Sequence, residues 1–185
     1  MPRFSDPEPL RPDHELAPFD CSVESLDTWL KRHARAADGA GSARTFVTTD
    51  AEQAKRVVGY HALTVASVER VAATTRVAKG MSRHAIPCVL LARLAIDRTV
   101  QRRGLGAWLL RDAMTRAVAA AEEIGIRALL VHALDDNAAA AFYRRHGFES
   151  SRTDSHNLQM LIKDIRRSAE AALIGFQVSA MPADR

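Results

Sequence analysis

The sequence predicts an α/β (α+β) fold in one domain, on three observations. An apolar run from Val89 to Ile96 leads through Gln101-Arg-Arg-Gly-Leu-Gly106 into a long helical pattern over 105–124. A second run, Ala128-Leu-Leu-Val-His-Ala133, precedes a short helical segment over 136–146 that stops at Gly147. Upstream, Thr45–Thr48 and Arg56–Leu63 read as antiparallel strands joined by a polar turn. With 185 residues, 47% of them hydrophobic, the chain is long enough to bury a substantial core.

Each element has a local reason. Residues 1–15 are polar and proline-rich and read as a loose arm ahead of a domain over 16–165. A helix follows, with Ser22 as its N-cap and Val23, Leu26, Trp29 and Leu30 on one face; Asp38-Gly-Ala-Gly41 stops it. Val65–Val71 extends the second strand of the 45–63 pair, and residues 72–85 form a basic connection without clear period, a loop or a short helix. Pro87 opens the central apolar strand, 88–96. The helix over 105–124 ends at Gly125, and a strand follows over 127–134. The next helix is bounded by Asp135 and Asp136 at its start and by Gly147 at its end. Phe148 and residues 158–165 supply the last strands, with 150–157 as a turn. Residues 166–185 form a C-terminal extension, in which Ala169–Phe176 has the pattern of a short helix.

Composition excludes several classes. No window approaches eighteen uninterrupted apolar residues, so no membrane-spanning helix is expected. Met1–Pro12 lacks the apolar core of a secretory signal. Cys21 and Cys88 stand in no metal or redox motif and read as reduced core thiols of a cytoplasmic protein. The net charge is +4, and its distribution says more than its sum. One basic cluster holds Arg98, Arg102, Arg103, Arg111 and Arg116; a second holds Arg144, Arg145 and His146; a third holds Lys31, Arg32, His33 and Arg35. They read either as solvated helix faces or as a surface for a polyanionic substrate. Aromatic residues are few, so such a substrate would be held by its backbone rather than read by base stacking.

The segment Gln101–Gly106 carries the most chemistry. Strand, basic glycine-bearing loop, then helix start is an arrangement that binds anions. Gly104 and Gly106 can take positive φ and admit a ligand close to the backbone, and the unpaired N–H groups of the first helical turn point at negative charge. A pyrophosphate fits. The loop lacks the Gly-Lys-Ser/Thr of a Walker loop and the third glycine of the dinucleotide fingerprint.

The pattern Gln/Arg-x-x-Gly-x-Gly after a strand ending in Asp97, followed by Asp135-Asp-Asn-Ala-Ala-Ala-Ala-Phe-Tyr-Arg-Arg-His-Gly-Phe148, resembles the GCN5-related N-acetyltransferase (GNAT) superfamily. The resemblance implies a central mixed, mostly antiparallel sheet, splayed between two parallel strands and flanked by helices; those strands would be 88–96 and 127–134. It implies acetyl-CoA as cosubstrate and no metal. Leu94, Ala95 and Ile96 would offer backbone groups to the thioester and pantetheine. Gln101, Arg102, Arg103, Gly104, Leu105 and Gly106 would hold the pyrophosphate, and Tyr143 would protonate the leaving thiolate. Asn137 would orient the pantetheine, although the Asn that many relatives carry seven residues before the Tyr is replaced here by Asp136. No general base stands out among Glu52, Glu69 and His61. A lysine amine, with pKa near 10.4, needs help losing its proton, whereas an α-amine near 7.7–8.0 is already partly neutral, so a weak base favours an α-amine substrate.

Further segments are similar to one subgroup, the aminoacyl-tRNA-acetylating toxins of toxin–antitoxin pairs. They are Phe19-Asp-Cys with Leu26-Asp-x-Trp-Leu30, Ala43-Arg-Thr-Phe-Val47, Val58-Gly-Tyr-His-Ala-Leu63, Ile86-Pro-x-Val-Leu-Leu-Ala-Arg-Leu-Ala-Ile-Asp97 and Val131-His-Ala-Leu134, together spanning about residues 10–165. This resemblance implies acetyl transfer to the α-amino group of aminoacyl-tRNA, which stalls translation. It also implies a ribbon-helix-helix antitoxin partner, contact with operator DNA only through the antitoxin complex, and a homodimer. Arg93, Arg98, Arg144 and Arg145 would then face substrate or tRNA. Arg93, a charge inside an apolar strand, must either pair with a carboxylate or face a cleft. Two other readings remain open: an acetyltransferase for a small amine or a protein N-terminus, and a non-catalytic acyl-CoA-binding module.

Overall fold

The computed structural model describes residues 4–134 and 137–179. Its strands are β1 (Glu8–Pro9), β2 (Arg44–Asp50), β3 (Gln53–Val68), β4 (Ile86–Ile96), β5 (Ala128–His132), β6 (Glu149–Ser150) and β7 (Asn157–Leu161). Its α-helices are α1 (Glu24–Thr28), α2 (Ala34–Gly39), α3 (Thr75–Ala78), α4 (Leu105–Glu123), α5 (Asn137–Arg145) and α6 (Ile162–Ser179). The seven strands form one sheet in the order β1-β2-β3-β4-β5-β7-β6, antiparallel apart from one parallel pair. The chain divides into two compact units, Met1–Ser67 with Val89–Arg116, and Val68–Cys88 with Ala117–Arg185.

In the first unit, α1 and α2 are one helix interrupted by a π-helical turn, Trp29–His33, closed by the Ala34 N–H on the Trp29 carbonyl. Leu30 and Ala34 are fully buried against Phe19, Val47, Val57, Tyr60 and Ala95, with Val23, Leu26 and Trp29 packed at the edge. The face predicted for this helix is therefore the buried one. Its cap differs from the prediction. Ser22 takes a left-handed φ of 67°, Val23 is the N-cap, and Asp27 Oδ1 accepts the Cys21 N–H at 2.9 Å. A downstream carboxylate reaching back to the entering chain replaces the Ser22 hydroxyl.

The expected loose arm is also corrected. Glu8 and Pro9 pair with Val47 and Phe46 of β2, and Ser5 N–H and Leu10 N–H donate to the Thr49 and Thr45 carbonyls. The His14 ring is buried, taking the Arg11 N–H on Nδ1 and meeting Glu8 Oε1 through Nε2 at 3.1 Å. The unpaired backbone edge of β2 is what recruits this segment. Between β2 and β3 the register shifts so that Thr48 faces Gly59 and Thr49 faces Val57, which bulges Val58 out of the ladder.

In the second unit, β7 lies between β5 and β6 and pairs antiparallel with both. The predicted strand over 158–165 ends at Leu161, and Ile162 begins α6, which runs on through the segment where a short helix was expected. The run Leu161, Ile162, Ile165 suits a helical face as well as a strand, and all three are buried. The 72–85 connection contains α3, capped by Thr74, whose Oγ1 accepts the Val77 N–H at 3.2 Å. Arg127 donates to the carbonyls of Arg76, Val77 and Lys79, and Arg70 to those of Ala78, Met81 and Ser82, so the exposed end of this short helix is satisfied by two guanidiniums. Cys21 and Cys88 are free and buried, and burial pushes their thiols up to about 12 and about 11, which leaves both protonated and unreactive.

A polar network ties α4 to β3. His61 is fully buried, its Nε2–H donates to Asp112 Oδ2 at 2.7 Å, and its ring stacks on Phe46. Arg116 donates to the same Asp112 oxygen at 2.6 Å and to the Pro7 carbonyl at 3.0 Å, and covers Phe46 at 3.6 Å. Burial pulls the His61 pKa below its usual value, outweighing the bond and charge of Asp112. Burial also pulls Asp112 upward, but the bonds from His61 and Arg116 prevail and hold it low. The ring is therefore neutral at pH 7. Below about pH 6.5 an unfolded His61 binds a proton that the folded ring refuses, so stability falls as pH falls, by at most about 1.4 kcal/mol per unit for one group. Thermal melts at pH 7.5 and 5.5 should show a larger loss for the native chain than for His61→Gln, whose amide keeps the bond to Asp112 without titrating. Equal losses would reject this account.

Candidate active site

In the first unit the chain leaves β4 at Asp97, makes a short 3-10 turn (Arg98–Val100), and exposes Gln101, Arg102, Arg103 and Gly104 before α4 begins. The first helical bond runs from Trp108 N–H to the Gly104 carbonyl at 3.1 Å, so the N–H groups of Leu105, Gly106 and Ala107 have no intrahelical acceptor. The strand, the exposed glycine-bearing loop and the helix start expected from the sequence are therefore in place. Gly104 has the expected positive φ, 81°, whereas Gly106 lies inside α4 and does not; Arg102 instead takes φ 62°. A left-handed arginine costs about 1–2 kcal/mol, and strain of this kind collects where a loop must present itself to a ligand.

The side chains around the loop divide. The Gln101 amide turns inward, donating to the carbonyls of Ile96 at 3.0 Å and Cys21 at 3.4 Å, so its outward contribution is backbone alone. Arg103 donates to the Thr99 carbonyl, and Arg102 is exposed. Arg98 pairs with Asp20 at 3.0 Å, which commits it to the protein. On β4, Ala95 is buried and Leu94 and Ile96 are half-buried. Arg93 is half-buried too. Its guanidinium lies 5.5 Å from the centre of the Trp29 ring and donates to the Ala92 carbonyl. Trp29 in turn stacks on Tyr60. Among the described residues no carboxylate pairs with Arg93, so the ion pair that was one of the two expectations is not found there. A cleft of about 680 Å³ in the same unit is lined by Phe19, Asp20, Asp27, Lys31 and Arg32 among others, and not by Arg93.

In the second unit, the end of α5 fixes Tyr143. Phe148 N–H donates to the Tyr143 carbonyl at 3.2 Å and Gly147 N–H to the Arg144 carbonyl at 3.0 Å, with Gly147 at φ 92°. These two bonds are the Schellman helix end, and its usual apolar contact is supplied by the Tyr143 and Phe148 rings, 5.7 Å apart. Phe142 packs edge-on from the other side. Burial pushes the Tyr143 phenol up to about 12, so it carries its proton throughout the physiological range. Arg144 bonds Ser150 Oγ and the Ser155 carbonyl and so holds the following turn, while Arg145 is exposed. Asn137 opens α5, but its side chain, like all of Asp135 and Asp136, lies outside the described residues.

Of the candidate bases, His61 is sealed against Asp112, Glu52 sits on the exposed turn after β2, and Glu69 is exposed beyond β3. Among the described residues no group of three or more His, Cys, Asp or Glu is arranged to hold a metal ion. Sequence reasoning missed Asp97, a carboxylate 1% exposed at the root of the loop. An acidic residue closing an apolar strand was the available signal.

The family model for the acetyltransferase (GNAT) domain matches residues 41–150. A tRNA-acetylating toxin of Mycobacterium tuberculosis (strain ATCC 25618 / H37Rv) is 44% identical over 175 residues, 95% of this chain and 99% of the relative. The structure of AtaT complexed with acetyl-methionyl-tRNAfMet is 30% identical with a TM-score of 0.81, covering 88% of this chain and 97% of that one. A mutant AtaT toxin bound to the C-terminus of the antitoxin AtaR and acetyl-CoA is 29% identical with a TM-score of 0.74, over 88% and 96%.

Gly147→Ala tests the placement of Tyr143. The left-handed φ alone should cost about 1–2 kcal/mol and several degrees of Tm, because the nearest atom to the added Cβ, Met160 Cε at 3.4 Å, is at ordinary contact distance. An unchanged melting temperature would show that this helix end is not what holds the tyrosine.

Proposed function

Because this chain belongs to the GNAT acetyltransferase family, we propose that it transfers the acetyl group of acetyl-CoA to the α-amine of an aminoacyl-tRNA, as the toxin of a toxin–antitoxin pair. The observation that carries this reading is the near full-length match to a tRNA-acetylating toxin, with both the Gln101–Gly106 loop and Tyr143 in place.

The chemistry follows from the groups present. The N–H groups of Leu105 and Gly106 and the side chains of Arg102 and Arg103 hold the pyrophosphate. Gly104 lets it approach, and Gln101 acts through its backbone. Backbone groups of Leu94, Ala95 and Ile96 hold the pantetheine and thioester, with Asn137 as a further contact. The neutral α-amine attacks the thioester carbonyl carbon; an N–C bond forms, the C–S bond breaks, the thiolate takes the Tyr143 proton, and the proton that the acylated nitrogen sheds passes through solvent to restore the phenol. A phenol near 12 rather than 10 is a poorer donor by about 2.7 kcal/mol. The burial that raises it also raises a thiolate leaving beside it, so the mismatch in proton affinity shrinks. Without a described base, the amine must shed its own proton, which an α-amine does near neutral pH and a lysine does not.

Arg93 and Arg145, half-buried and exposed respectively and unpaired with any carboxylate among the described residues, are the better cations for tRNA; Arg98 and Arg144, proposed alongside them from the sequence, serve mainly to hold Asp20 and the 150–155 turn. A ribbon-helix-helix antitoxin as partner, operator DNA bound only through their complex, a homodimer and a cytoplasmic location complete the reading. No helix among the described residues is long and apolar enough to cross a membrane.

Incubation with radiolabelled acetyl-CoA and a pool of charged tRNA, resolved on an acid gel, tests it. Label on tRNA that is lost on mild base deacylation is expected; label absent from charged tRNA but present on a small amine or a protein N-terminus would replace the reading. Tyr143→Phe should lower kcat about 10²–10⁴-fold with little change in acetyl-CoA affinity. The rate of the native enzyme should rise between about pH 6.5 and 8.5 as the α-amine loses its proton, then stay level to about 9.5 because Tyr143 does not ionise there. A fall before pH 9.5 would remove Tyr143 as the acid.

A further inference from the structure

Two short segments of the first unit, 20–22 and 97–101, are laced together, and one buried carboxylate is the knot. Asp97 Oδ2 accepts the Asp20 N–H at 3.1 Å; its Oδ1 accepts the Thr99 N–H at 3.0 Å and the Thr99 hydroxyl at 2.6 Å. Its own N–H donates at 2.9 Å to the carbonyl of Val58, the residue bulged out of β3, and its carbonyl takes the Val100 N–H. Around it, Arg98 N–H donates to the Asp20 carbonyl at 2.8 Å and its guanidinium pairs with the Asp20 carboxylate. The Gln101 amide spans from Ile96 to Cys21, and Ser22 N–H returns to Asp20 Oδ1 at 2.9 Å. Among the described residues, the two non-glycine positions with left-handed φ, Ser22 and Arg102, each follow one of the laced segments or close it.

We infer that Asp97 is a positioning residue for acetyl-CoA, an inference that rests on the acetyl-CoA reading above. A carboxylate this deeply buried persists only where every lone pair direction it uses is bonded, and three donors meet it. Its two oxygens face donors on opposite sides, one from the loop and one from the chain entering α1. The Thr99 bonds set the angle at which the chain turns out of β4. The Gln101 amide then anchors the far side of the turn, and Arg102 is forced into its strained conformation so that the N–H groups at the start of α4 open outward. An amide at position 97 has one acceptor and one donor, so an N–H would confront either the Asp20 N–H or the Thr99 pair. The turn would relax, Arg102 would return to an ordinary conformation, and the pyrophosphate donors would no longer converge. Because Asp97 touches no reacting atom, its effect belongs in acetyl-CoA affinity and not in the chemical step.

The test is Asp97→Asn beside Thr99→Val, which removes one donor at an exposed position. Acetyl-CoA affinity is measured by calorimetry, and KM for acetyl-CoA and kcat are measured with charged tRNA. Asp97→Asn should weaken acetyl-CoA binding and raise its KM about tenfold, with kcat at saturation within about threefold; Thr99→Val should move the same quantities about two- to threefold. A folded Asp97→Asn with unchanged affinity, or one that loses kcat at unchanged KM, would overturn the inference. Should Asp97→Asn fail to fold, Thr99→Val decides alone, and unaltered acetyl-CoA binding in it would overturn the inference. Calorimetry needs no amine acceptor. A native chain that binds acetyl-CoA without labelling charged tRNA would sink the tRNA reading and leave this one to be decided by the affinities; a native chain that does not bind acetyl-CoA would sink both.

Discussion

A helix cannot hydrogen-bond its own first N–H groups or its last carbonyls, and the candidate site of this chain is built around that constraint. At the start of α4 the unmet donors follow an exposed loop, which is where the proposed pyrophosphate would be held. At the end of α5 the unmet carbonyls are closed by Phe148 and Gly147, and that closure pins Tyr143, the acid proposed above. At α3 the same debt is met by two arginines from neighbouring segments. One backbone rule thus leaves donors open in one place, fixes a tyrosine in another and gives plain scaffolding in a third. What differs is which partner the sequence supplies.

The interior of the first unit shows how polar groups are tolerated among apolar ones. His61 Nε2 and Arg116 share Asp112, and Phe46 packs against both the Arg116 guanidinium and the neutral imidazole, whose buried Nδ1 has no partner among the described residues. Asp97 is satisfied by backbone and hydroxyl donors. Arg93 is the exception: it rests on the Trp29 ring with its charge uncompensated by any described carboxylate. Aromatic support of this kind is worth about 0.5–1 kcal/mol at exposed sites and more when dry, enough to orient a guanidinium and too little to neutralise it. The sheet and helices around it are closed systems, whereas this arginine is open.

Much of this was legible in the residues. The apolar run into Gln101–Gly106 gave β4, the loop and α4, because strand and helix periods on either side of a glycine loop admit few other arrangements. The Gly147-Phe148 pair gave the end of α5, and Tyr143 with it. Other features left no trace in a pattern. A two-residue edge strand made of Glu and Pro has no alternation to detect, so β1 was read as a loose arm. The apolar stretch Leu158–Ile165 satisfies both periods, and only tertiary packing decides that it changes from strand to helix at Ile162. The Gln101 side chain looked like a ligand donor because it is polar and exposed; that it faces inward depends on the carbonyl of Cys21, eighty residues away in sequence. Asp97 was seen as the end of a strand, and its three bonds could not be inferred without knowing that residue 20 lies beside it.

The π turn at Trp29–His33 has a bearing on how this surface can change over time. An α-helix holds 3.6 residues per turn, and a π turn accommodates one more without unravelling the segments on either side. Five residues of a π turn sweep about the same angle as four of an α-helix, so the helix keeps its heading across Trp29–His33 and both Leu30 and Ala34 stay buried. The extra residue is taken up within the turn itself, where Lys31, Arg32 and His33 are exposed. A lineage can therefore vary both the identity and the number of residues on this basic turn while the apolar footing on either side keeps its aim.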